Sequence, residues 1–65
     1  MFSATDYNIK RAYNNGLLYI RPFFSERFQE YSFMIEDDCH IIECHLTRED
    51  AVNRIKEVCG ADAEV

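Results

Sequence analysis

The segment that most restricts this chain is residues 47–60, an amphipathic helix with both ends marked. Thr47 stands as N-cap with Asp50 three residues on, and Glu49 and Asp50 place negative charge in the first turn, where the helix dipole favours it. Ala51, Val52, Ile55, Val58 and Cys59 fall on one stripe, with Arg54 and Lys56 on the other side. Gly60 supplies a stop. Such a stripe needs an apolar surface to lie on. Residues 31–36 and 39–46 alternate like two strands across an acidic turn, Glu36-Asp37-Asp38, so a hairpin is expected to provide that surface.

Upstream, residues 17–24 are aromatic and β-branched and read as a further strand. Pro22 cannot donate to a ladder, so this strand lies at an edge or ends near residue 21. Residues 25–27 form the next turn, with a short helix capped by Ser25 as the alternative to a strand beginning near Phe28. The N-terminal segment has two readings. Ser3 with Asp6 resembles a capping box, Phe2 and Tyr7 sit where a hydrophobic staple would, and Ile9, Ala12 and Tyr13 share a helical face that Gly16 terminates. Against this, Asn15-Gly16 is a strong hairpin turn. Lys10-Arg11-Ala12 breaks the alternation a hairpin needs, so the helix is preferred. The expected fold is α+β: a three-stranded antiparallel meander with an N-terminal and a C-terminal helix, α-β-β-β-α. It forms one domain over residues 1–65, with 61–65 a frayed tail.

Alternation also assigns faces. Tyr31, Phe33 and Ile35, Leu18 and Ile20, and His40, Ile42, Cys44 and Leu46 are expected to meet the helix stripe. The other face would carry Leu17, Tyr19, Met34 and Ile41 rimmed by Arg21, Glu36 and Glu43. Either this is an exposed contact patch, or the N-terminal helix covers it and the sheet is sandwiched.

Composition limits the function. Twelve acidic against seven scattered basic residues give a net charge of −5, which disfavours phosphate contacts and anionic membranes and favours a basic protein partner. No apolar run is long enough for a membrane span, and no charged-then-apolar leader is present. Three cysteines, an odd number, fit reduced thiols in a cytoplasmic setting better than a disulfide scaffold.

The one local cluster of soft ligands is Cys39-His40 with Cys44-His45. On a strand these alternate between faces, so neither face gathers the four ligands zinc prefers, and neighbours make poor nucleophile–base pairs. A set of His40, Cys44 and Cys59 on the helix-packed face is the remaining metal alternative. No catalytic residues, metal or cofactor are therefore assigned. The partner-binding candidates are Glu36, Asp37, Asp38 and Glu43 at the acidic turn, with Tyr19, Met34 and Ile41 on the second face.

In size, charge and compactness the chain resembles small inhibitors encoded by phages and mobile elements, such as anti-CRISPR and anti-restriction proteins. That likeness is compositional. A meander followed by a helix beginning Thr-Arg-Glu-Asp-Ala is also similar to the arm-binding domains of phage integrases, and helix–sheet–helix order to double-stranded RNA-binding domains. Both families use Lys and Arg where this chain has acid, so no functional residue is carried over. The expectation is a small acidic non-enzymatic interaction module, a homodimer among the options, acting as an inhibitor of a nucleic-acid-processing enzyme. The alternatives are a strand–helix nucleic-acid-binding domain or a zinc-stabilised domain.

Overall fold

The computed structural model describes residues 3–65. Its element order is α1 (Ala4–Asn14), β1 (Tyr19–Ser25), β2 (Glu30–Glu36), β3 (Ile41–His45) and α2 (Arg48–Cys59). The strands form one antiparallel sheet in the order β1-β2-β3.

The helix termini follow the sequence signals. Ser3 Oγ accepts from the Asp6 amide at 3.1 Å while Asp6 Oδ2 accepts from the Ser3 amide at 3.2 Å, so Asp completes the capping box in place of Glu. Phe2, the expected staple partner of Tyr7, lies outside the described residues. At the other end Gly16 adopts φ 72°, and the amides of Gly16 and Leu17 donate to the carbonyls of Tyr13 and Ala12. That pattern is a Schellman stop, and its left-handed residue is why a glycine stands there. Asn15-Gly16 therefore ends a helix instead of turning a hairpin. Thr47 Oγ1 caps α2 by accepting from Asp50, and Gly60 closes it.

Both helices pack on one face of the sheet. α1 touches α2 and β3, while α2 touches all three strands. Three fully buried isoleucines hold the layers together: Ile9 from α1, Ile35 from β2 and Ile55 from α2. Ala51, Val58 and Ala63 complete the buried cluster, and Tyr13, Leu18, Ile20, Phe33, Ile42 and Cys59 pack around it. Within residues 61–65, read from the sequence as a frayed tail, Ala63 is buried and the Glu64 amide donates to Tyr13 Oη at 3.1 Å.

β1 does not stop at Pro22. It continues to Ser25, with Pro22 opposite Phe33 on an edge strand that has no outer neighbour to need its missing N–H. Ser25 Oγ accepts from the Phe28 amide at 3.4 Å, and this bond turns the chain without starting a helix.

The largest departure lies in β3, which starts at Ile41 and not at Cys39, leaving Cys39 and His40 in the turn. A bulge follows. Ile41 pairs with Glu36 and Glu43 with Ile35, so Ile42 is the extra residue and packs on the core. One inserted residue reverses every later side chain. Glu43 and His45 consequently sit on the helix-packed face. Cys44 is exposed on the other, and Leu46 beyond it is 73% exposed. The assignment of Cys44 and Leu46 to the core and of Glu43 to the open rim is corrected by that bulge.

Candidate functional site

The cross-strand register lays out the open face of the sheet in rows. Tyr19, Glu36 and Ile41 form the first row, Arg21, Met34 and Cys44 the second, and Phe23 with Ser32 the third. No described helix covers these residues. Tyr19, Phe23 and Ile41 each keep about half their surface in water, and Met34 is half-buried at the centre. Arg21 Nε lies 3.4 Å from Glu36 Oε2, a surface pair that orients two long side chains but adds little stability. The expected patch of Tyr19, Met34 and Ile41 is thus brought together, with Glu36 inside it. Leu17 is not part of it, because it precedes β1 and lies against the end of α1.

Sequence reasoning missed the far end of the β1–β2 ribbon. β3 pairs only as far as Phe33, so Phe23, Phe24, Tyr31 and Ser32 belong to a two-stranded extension. Phe24 and Tyr31 point to the helix side but beyond the reach of either helix. Their rings meet at 5.0 Å, tilted by 58°. At the tip, Arg27 lies over the Phe28 ring at 5.2 Å. Phe23, Phe24, Phe28 and Tyr31 remain 41–66% exposed. These aromatics stand on a two-stranded ribbon, an arrangement marginal by itself, with Phe23 on the open face and Phe24 and Tyr31 on the other.

The four acidic candidates do not form one surface. Glu43 lies across the sheet from the other three and is held by Arg54, whose Nε sits 3.0 and 3.1 Å from the two carboxylate oxygens. Arg54 also donates to Asp6 at the start of α1, so one guanidinium ties α2 to β3 and α1. His45 Nε2 lies 2.7 Å from Glu43 Oε1 and completes the cluster. Asp37 is committed locally: its Oδ1 accepts from the amides of Cys39 and His40, both at 2.8 Å, and His40 Nδ1 approaches it at 3.2 Å. Glu36 lies within the patch between Tyr19 and Ile41, and Asp38 is exposed at its rim.

The turn gathers Asp37, Cys39 and His40, with one ligand-capable atom of each within 4.8 Å of the others. Strand geometry was expected to separate Cys39 from His40; in a turn it does not. A cysteine beside a histidine–carboxylate pair invites a nucleophile reading, but its partners have the wrong sign. Cys39 Sγ lies 3.5 Å from Asp38 Oδ1, and the Asp38 carboxylate pushes the thiol above its ordinary range. A catalytic cysteine needs an electropositive setting that lowers it. The alternative set of His40, Cys44 and Cys59 is split, with Cys44 on the open face and Cys59 against the core.

Two carboxylates make the fold acid-sensitive. The Arg54 hydrogen bond holds Asp6 below the ordinary 3.8, and the Cys39 and His40 amides do the same for Asp37. A depressed folded pKa stabilises above the unfolded value, and that contribution disappears as pH falls through 3.8 toward the folded values. The urea midpoint should therefore be level near neutrality and drop below about pH 4. Asp6→Asn and Asp37→Asn should each flatten that acid limb, and a limb unchanged in both variants would remove these groups from the account.

No protein-family model, curated protein or solved structure matches the chain. The functional reading accordingly rests on the surfaces described above.

Proposed function

We propose that the protein is a non-enzymatic protein-binding module that meets its partner through the helix-free sheet face and the aromatic end of the β1–β2 ribbon. The observation that carries this is the exposure of Tyr19, Phe23 and Ile41 on the helix-free face and of Phe24, Phe28 and Tyr31 at the ribbon end, while the buried cluster is built from small and aliphatic residues. Aromatic anchors with a charged rim are the composition of protein interfaces. Among the described residues no helix is long and apolar enough to cross a membrane, so a membrane span does not explain these side chains.

The net charge of −5 favours a basic partner. Glu36 and Asp38 lie with Tyr19 and Ile41 along one shallow recess, which suits an arginine- or lysine-lined groove. The finer reading is an inhibitor seated in the basic nucleic-acid channel of a larger enzyme, in the manner of the small phage-encoded inhibitors, working in a reducing cytoplasm where the three unpaired thiols persist. A second copy of the chain is the competing occupant.

Two arms test this. Immobilised wild type should capture a partner that Tyr19→Lys/Ile41→Lys and Phe23→Lys do not, whereas Lys56→Ala, on the outer side of α2, retains it. Capture unaffected by the face variants contradicts the proposal. Loss of capture on Asp38→Lys supports the basic groove, and retention removes the channel-inhibitor reading. Sedimentation of the isolated chain separates self-association from a foreign partner.

A further inference from the structure

We propose that the turn at residues 37–40 is a binding site for a borderline divalent transition-metal ion of the zinc type, held by the Asp37 carboxylate, the Cys39 thiolate and the His40 imidazole. Among the described residues this is the one place where three such groups converge. It differs from any set read off the strand pattern, because it exists only where β3 starts late and frees Cys39 and His40 from alternation.

The turn is organised before any ion arrives. Asp37 Oδ1 is fixed by two backbone amides at 2.8 Å, which locks the loop and leaves Oδ2 as a donor. The three ligand atoms lie within 4.8 Å of one another. An ion at their centre would need bonds of about 2.0–2.3 Å, a contraction of under about an ångström that exposed side chains can supply. Asp38 stands outside this convergent set, its Oδ1 3.5 Å from Cys39 Sγ, so solvent would complete the coordination. The Asp37 and Asp38 carboxylates of the turn favour a cation there. Arg11, across the recess from Asp37, is the cation now facing them.

The donor set selects the metal class. A thiolate and an imidazole beside carboxylate oxygens suit zinc, cobalt or nickel, whereas calcium and magnesium take oxygen alone. Binding replaces the Cys39 S–H proton, which leaves to solvent as the S–metal bond forms.

Cobalt(II) alone, titrated into the full chain under a non-thiol reductant, reads the site directly. The expected result is a thiolate-to-cobalt charge-transfer band that saturates at one equivalent and is bleached by added zinc. The band should be absent in Cys39→Ser and unchanged in Cys44→Ser and Cys59→Ser. His40→Ala and Asp37→Asn should weaken cobalt binding at least about tenfold. Cys39, His40 and Cys44 are exposed, and far-ultraviolet circular dichroism checks the fold of every variant, Asp37→Asn and Cys59→Ser at half-buried positions included. No band in the wild type, a band surviving Cys39→Ser, a band lost in Cys44→Ser or Cys59→Ser, or affinity indifferent to both His40→Ala and Asp37→Asn overturns the site.

Discussion

Ile55→Ala is expected to leave the protein largely unfolded at 25 °C. Ile55 is fully buried where α2 meets Ile9 of α1 and Ile35 of β2, so its side chain is shared by both helices and the sheet. Truncating such a residue costs about 2–5 kcal/mol, from lost transfer energy plus the cavity left behind. A domain of this size has only about 3–5 kcal/mol to lose. Ile55→Val supplies the graded control: it should remain folded and melt about 4–8 °C lower for each kcal/mol lost. Thermal melts by circular dichroism check both. A cooperative Ile55→Ala transition near the wild-type temperature would mean that the core lies elsewhere.

Arg54→Leu has the second largest expected effect. It removes the fork on Glu43 and the bond to Asp6, and it leaves two carboxylates near each other without a cation. The cost is set at about 2 kcal/mol, below that of a fully buried pair, because Arg54 and Glu43 keep about a fifth of their surface in water. Arg54→Lys keeps the charge but not the two-pronged geometry, and should fall between. The loss should also be local. α1 packs mainly on α2 and β3, the elements Arg54 joins to it. Amide exchange should therefore rise across Ala4–Asn14 more than in the β1–β2 ribbon. Uniform exchange would show that Arg54 acts on global stability alone.

These two residues mark what sequence reveals and what it conceals. Ile55 was legible because helical spacing and caps are local properties, and the same holds for Ser3, Asp6, Thr47 and Gly60. The partners of Arg54 were not legible. Glu43 reaches it only because the bulge at Ile42 turns it to the helix side, and nothing in residues 39–46 announces that inserted residue. The same bulge exposes Cys44, and the late start of β3 brings Cys39 to His40. Tyr31 was placed on the correct face yet is exposed, because burial depends on how far the helices extend. β3 pairs with β2 only as far as Phe33, and the aromatic ribbon end lies beyond it, a limit no alternation pattern contains.

On the proposed reading the second face of the sheet is a contact surface and not core. The urea midpoint of Tyr19→Lys/Ile41→Lys, measured beside Ile35→Lys, tests it most directly. Both new lysines flank Glu36 across the strands, so they introduce no like-charge pair with it. The double variant should keep its stability within about 0.5 kcal/mol of wild type, and Ile35→Lys should lose the folded state. A double variant that unfolds as Ile35→Lys does would contradict it, because Tyr19 and Ile41 would then belong to the interior.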